Sequence, residues 1–117
     1  MYMKRRGDIW TANLNPGSGT EPGKTRPVVI FQSQTLLDIE HPSSIIMPLT
    51  TQLIEGAEPL RLRLCTRERL RADSDILVDQ MRAIDNLRLV EGPVARLTEA
   101  ELVCLEEYAL EVLGMEK

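Results

Sequence analysis

Four polar side chains fall at the ends of segments that read as β-strands: Arg26, Thr50, Thr51 and Asp79. An arginine suits a phosphate because its planar guanidinium presents several donors at once. A hydroxyl or carboxylate beside it can hold the same phosphate or shuttle protons. Such a set is equipped for cutting RNA without a metal. In that reaction the RNA's own 2′-OH attacks the adjacent phosphate. The protein must stabilise the extra negative charge, help remove the 2′-OH proton and help protonate the leaving 5′-oxygen. None of the four residues is specific alone. Arg26 has the plain alternative of a strand-end residue paired with a loop carboxylate such as Glu21, and Thr50 that of an ordinary strand-end hydroxyl. No strong general base is visible.

Six segments carry strand patterns. Gly7 to Leu14 alternates, with Trp10, Ala12 and Leu14 on one face. Arg26 to Gln32 is an apolar run suited to a buried strand, with Pro27 tolerated at its start. Ser44 to Leu49 follows. Pro59 to Cys65 alternates strictly, which predicts Leu60, Leu62 and Leu64 facing in and Arg61 and Arg63 facing out. Asp75 to Ile84 reads as a fifth strand and Glu91 to Leu97 as a short sixth. Short helical turns are expected at Ser33–Asp38 and Thr66–Leu70. One longer helix is marked by a capping box, Thr98 with Glu101, followed by the apolar stripe Leu102, Leu105, Ala109, Val112 and Leu113, and Gly114 ends it. Several short strands and one terminal helix indicate a mainly β, α+β fold: a small, strongly bent barrel rather than a βαβ sheet. The irregular stretch Asn15–Thr25 is either a hairpin connection or a mobile lid. It leads into Lys24 and Arg26, which favours the lid.

The 117 residues fit one domain spanning 1–117. Aromatics are 3% of the chain, so the core must be aliphatic. Trp10 and the methionines read as core or interface packing rather than a base-stacking platform. No run approaches the roughly 18 apolar residues of a membrane span, and the N-terminus has no signal-peptide pattern. Cys65 and Cys104 lie far apart and read as buried thiols in a reducing cytoplasm. With His41, the one histidine, they make no zinc set. The net charge of −4 argues at first against a nucleic-acid partner. Its distribution says otherwise, because the residues from Thr98 onward hold Glu99, Glu101, Glu106, Glu107, Glu111 and Glu116 against Lys117 alone. The remaining body carries basic clusters at Lys4–Arg6, at Lys24 with Arg26, and from Arg61 to Arg71, which serve either as a solvated surface or as part of an RNA groove.

Taken together, Arg6-Gly7-Asp8-Ile9-Trp10, Leu14-Asn15-Pro16, Gly19-Thr20-Glu21-Pro22-Gly23 and Thr25-Arg26-Pro27-Val28-Val29 resemble the N-terminal signature of the MazF/PemK toxin family. Pro48-Leu49-Thr50-Thr51 and Asp79-Gln80-Met81-Arg82-Ala83-Ile84-Asp85 resemble two further segments of that family. The likeness runs from Arg6 to the terminal helix. It implies an SH3-like barrel with a C-terminal helix, a homodimer, and a bacterial, cytoplasmic endoribonuclease. Such an enzyme is sequence-specific, independent of metal and ribosome, and needs no cofactor. It acts on single-stranded RNA (mRNA, or rRNA or tRNA) and is neutralised by a cognate antitoxin whose acidic tail folds into the RNA groove. Carried over, Arg26 and Thr50 act at the scissile phosphate, with the Thr-x-Gln register favouring Thr50 over Thr51. Thr20, Glu21, Lys24, Thr51 and Gln80 are the expected substrate-binding residues. Glu21 would orient Arg26 or shape the lid, and Gln80 would touch a base. One branch of the family uses an arginine, an aspartate and a loop histidine. Those positions here are Leu77, Asp79 and Thr20, which leaves Asp79 a structural role. Pro22 and Lys24 depart from residues common in the family's loop. Two other readings stay open: a non-catalytic gyrase-poison-like toxin of the same fold, and an inactive SH3-like interaction module. Neither needs the Arg26/Thr50 pair.

Overall fold

A computed structural model describes residues 4–17, 19–20 and 24–116. Seven strands and two helices follow in the order β1 (Asp8–Asn13), β2 (Thr25–Ile30), α1 (Gln34–Asp38), β3 (Ser43–Thr50), β4 (Arg61–Leu64), β5 (Ser74–Leu77), β6 (Arg82–Asp85), β7 (Leu89–Arg96) and α2 (Glu99–Val112). The apolar runs and the Thr98/Glu101 capping box set these elements. In that box each partner's side chain satisfies the other's backbone N–H. The helix seats Leu105 and Ala109 in the core, Leu102 and Val112 pack beside them, and Leu113 is exposed.

The sheet is antiparallel in the order β4-β5-β3-β2-β1-β7, with β6 also on β3. It is strongly bent but not closed as the expected barrel would be, since β4 and β7 do not pair among the described residues. The tight turn Arg67–Leu70 fills the gap, and its Arg69 N–H donates to Val94 O at 2.9 Å. That turn replaces the expected helical turn at Thr66–Leu70. Glu68 has φ +47°, which is incompatible with a right-handed helix. The concave side encloses a cluster around Ile9, Val29, Met47, Leu64, Ile76 and Leu105, and a second cluster gathers Trp10, Val28, Ile30 and Ile46.

The single strand expected over Asp75–Ile84 is two strands. β5 pairs Leu49 with Ile76, whereas β6 pairs Ile46 with Arg82. The stretch of β3 between those pairs is shorter than the stretch facing it, so the surplus coils into a 3₁₀ turn at Val78–Gln80. Burial of Val78 in the core fastens that turn. β4 is also shorter than expected, leaving Leu60 exposed outside it. The two thiols are not buried. Cys65 follows inward Leu64 and therefore points out, and Cys104 sits at the flank of α2, half-buried.

Candidate active site

β2 and β3 position the two residues proposed at the phosphate. Their pairing runs Ile30 with Ile46, Val29 with Met47 and Val28 with Pro48. The same register, continued by two residues, sets Arg26 across from Thr50. The Arg26 guanidinium donates to Leu49 O at 3.3 Å. On its other edge Thr50 pairs with Asp75, which in turn pairs with Arg63. Directly opposed residues share a face, so Arg26, Thr50, Asp75 and Arg63 form one transverse row. The Thr50 hydroxyl oxygen accepts from the Gln52 N–H at 3.2 Å. One lone pair is thus engaged, and the hydroxyl proton remains to be donated.

These strand ends open on a groove of about 890 Å³. Lys24, Arg26, Arg61, Arg69 and Arg71 line it, and Glu91 is the one carboxylate among its described lining residues. Thr20, Thr50, Thr51 and Gln52 supply neutral donors and acceptors. The groove is therefore positive although the chain is acidic overall. The base of the β1–β2 connection is closed by Leu14 N–H donating to Lys24 O at 2.8 Å and by Lys24 N–H donating to Asn15 Oδ1 at 2.5 Å. Lys24 takes φ +68°, so the chain reverses there as it turns into β2. Across the groove, Gln80 Nε2 stands 3.4 Å from Thr20 Oγ1, brought there by the 3₁₀ turn that sequence periodicity did not reveal.

The basic stretch Arg61–Arg71 divides by partner. Arg61 and Arg63 grip the buried Asp75, at 3.0 and 2.5 Å. Arg67 pairs with Glu101 of the helix cap, its Nη2 at 2.7 Å from Oε2. Arg69 donates to Pro93 O at 2.6 Å and lies 3.9 Å from Glu91. Arg71 makes no side-chain hydrogen bond or ion pair among the described residues. Burial opposes ionisation of Asp75, but hydrogen bonds from Arg63, the Ile54 N–H and Arg61 outweigh it and hold its carboxyl below the usual range. The bond from Arg67 lowers the Glu101 carboxyl against the cost of burial, and the Thr98 N–H adds to it.

Residues 5–113 match the family described as PemK-like, MazF-like toxins of type II toxin–antitoxin systems. The chain is 37% identical over 90 residues to the endoribonuclease MazF of Staphylococcus saprophyticus, covering 76% of this chain and 74% of that one. The chain belongs to the MazF/PemK toxin family. The fold agrees with a MazF crystal structure from Deinococcus radiodurans at a TM-score of 0.81 and 19% identity, over 98% of this chain and 100% of that one. A MazE–MazF crystal structure from the same organism matches at 0.76 and 16% identity, over 99% and 100%.

Among the expected site residues of this MazF/PemK chain, Arg26, Thr50, Thr51, Thr20 and Lys24 share the groove, and Gln80 meets it through Thr20. Glu21 and Pro22 lie outside the described residues. Asp79 is exposed in the 3₁₀ turn and His41 is exposed after α1, and neither lines the groove. Sequence reasoning did not single out Arg71, Gln52 or Asp75. The alternating Arg-Leu-Arg-Leu of β4 was a signal for the last of these, because two arginines on one strand face call for a carboxylate on the next strand.

Proposed function

We propose that this MazF-family chain is a sequence-specific, metal- and ribosome-independent endoribonuclease that cleaves single-stranded RNA by 2′-OH attack. Arg26 and Thr50 act at the scissile phosphate. The observation that carries this reading is their opposition across β2 and β3 at the head of a groove with five cations and one carboxylate among its described lining residues. In the reaction the Arg26 guanidinium donates to the non-bridging oxygens as charge builds on the phosphorane. Thr50, its oxygen held by Gln52 N–H, donates a hydrogen bond to a non-bridging oxygen of the same phosphate. Thr20, Lys24, Thr51 and Gln80 contact the flanking nucleotides. A groove this rich in cations repels a divalent ion, which supports a mechanism without one.

The substrate is mRNA, rRNA or tRNA in single-stranded form, read by hydrogen bonds to unstacked bases. The partner is a cognate antitoxin with an acidic segment that fills the groove; one fold relative was crystallised as a MazE–MazF assembly. The active unit is a homodimer, supported by the exposed apolar side chains Ile39, Leu87 and Val90 on a domain of marginal size. No helix among the described residues is long and apolar enough to cross a membrane.

The test is incubation with a mixed-sequence single-stranded RNA in EDTA, with Arg26→Ala alongside. Discrete products with 5′-hydroxyl ends, from the wild type only, are expected. Inhibition by the chelator would sink the metal-free mechanism, and 5′-phosphate ends would refute 2′-OH attack.

A further inference from the structure

Asp75 is 1% exposed and ionised, yet it is absent from every motif noted above. Its Oδ1 takes Arg63 Nε at 2.5 Å. Its Oδ2 takes both the Ile54 N–H and Arg61 Nη1, each at 3.0 Å. The same Arg61 nitrogen also donates to Gln52 O at 2.8 Å. One carboxylate oxygen therefore clips both ends of the segment from Gln52 to Ile54, directly at Ile54 and through Arg61 at Gln52. The residue whose carbonyl is clipped also donates its own N–H, one peptide unit earlier, to Thr50 Oγ1 at 3.2 Å, so Gln52 is held on both sides of its Cα. Asp75 also stands directly opposite Thr50 in the β3–β5 register.

We infer that Asp75 is a positioning residue for RNA cleavage: through Arg61 it holds the Gln52 carbonyl and so the Gln52 backbone, whose N–H engages Thr50 Oγ and turns the hydroxyl so that its proton points to the phosphate. The inference rests on the proposed role of Thr50. A segment such as 51–56, exposed at every position, has no apolar anchor of its own. Without the clip, the Gln52 N–H swings freely and Thr50 Oγ rotates among its rotamers, so the donor is no longer prepaid in orientation. Arg61 lines the groove but spends its Nη1 inside this relay, so that nitrogen serves geometry more than holding RNA.

The test is a double-mutant cycle on a single-site RNA substrate, with kcat and KM measured separately. Asp75→Asn keeps the shape but cannot accept from all three donors. It is expected to lower kcat roughly 10- to 100-fold, the scale of a misplaced catalytic group, with KM changed less than about twofold. In a Thr50→Val background, where no hydroxyl remains to orient, the same substitution is expected to change kcat less than about twofold. Should Asp75→Asn not fold, Arg61→Lys supplies the second cycle. It keeps the charge beside Asp75 but replaces the rigidly held Nη1 that bridges Asp75 Oδ2 and Gln52 O with a rotatable ammonium, and the same kcat-selective, Thr50-dependent loss is expected. Equal losses with and without the Thr50 hydroxyl would overturn the relay while leaving the role of Thr50 intact. A Thr50→Val variant with undiminished kcat would remove the role of Thr50 itself, and the relay with it.

Discussion

Arg26→Lys separates charge from geometry at the proposed phosphate site. The Arg26 guanidinium reaches Leu49 O with one nitrogen at 3.3 Å, which ties it to β3 beside Thr50. A lysine keeps the positive charge and the groove's potential but replaces the planar fork with one rotatable ammonium. Ground-state attraction to RNA should therefore survive, since Lys24, Arg61, Arg69 and Arg71 remain in the groove. What is lost is the paired donation that grows as charge develops on the phosphorane. Removing one preorganised donor of that kind costs about 2.7–4 kcal/mol, or roughly 10²–10³ in kcat. The assay is single-turnover cleavage of a fluorescent oligonucleotide at saturating enzyme, with melting temperature and dimer mass measured in parallel. The expected result is a loss of that size in rate, with a midpoint for RNA binding changed less than about threefold. A lysine variant that cleaves within about threefold of wild type would show that only charge matters at position 26. A loss confined to binding would show that Arg26 holds RNA in the ground state.

Three further expectations follow from the same geometry. Arg71→Gln removes an uncommitted groove cation, so it should raise KM several-fold, leave kcat nearly unchanged and flatten the salt dependence of RNA binding by about one phosphate contact; an unchanged slope would place Arg71 outside the RNA path. Glu101 and Asp75 both have folded-state pKa values below their unfolded ones, so their stabilisation is complete above the ordinary carboxylate range, about pH 4, and is lost as pH falls through the folded values. Urea unfolding followed from pH 7 to 2.5 should show the wild type losing stability more steeply below about pH 4 than Glu101→Gln, and parallel curves would contradict this. At Gly92 an added Cβ would stand 2.3 Å from the Trp10 ring, so Gly92→Ala should destabilise by about 1–3 kcal/mol or more through overpacking, read as a lower urea midpoint with near-UV change; a wild-type midpoint would mean Trp10 moves aside freely.

The helix and most strands were legible because their causes are local. A capping box, a period-two alternation and a run of Val, Val and Ile act on neighbours a few residues away, so Thr98, Leu64 and Val29 stand where their patterns predict. The shared strand-end placement of Arg26 and Thr50 was legible through their motifs, and both line the groove. The break at Val78–Gln80 was not legible, because it arises from unequal lengths of β3 and its partner, a mismatch between segments far apart in the chain. The two cysteines misled for a related reason: composition favours burying a thiol, but the inward register of Leu64 left Cys65 outside.

Residue types and spacing, then, determined the helix and the bulk of the strands, and the resemblance of the motifs around them marked Arg26 and Thr50 as the proposed phosphate pair. Tertiary structure alone decided which charges are spent. Arg61, Arg63 and Arg67 are neighbours in sequence with Arg69 and Arg71, yet Asp75 and Glu101 claim the first three and leave Arg71 to the groove. The physical reason is range. Backbone propensity is settled within a turn or a strand, whereas an ion pair exists only once folding has brought a carboxylate from another element within about 3 Å.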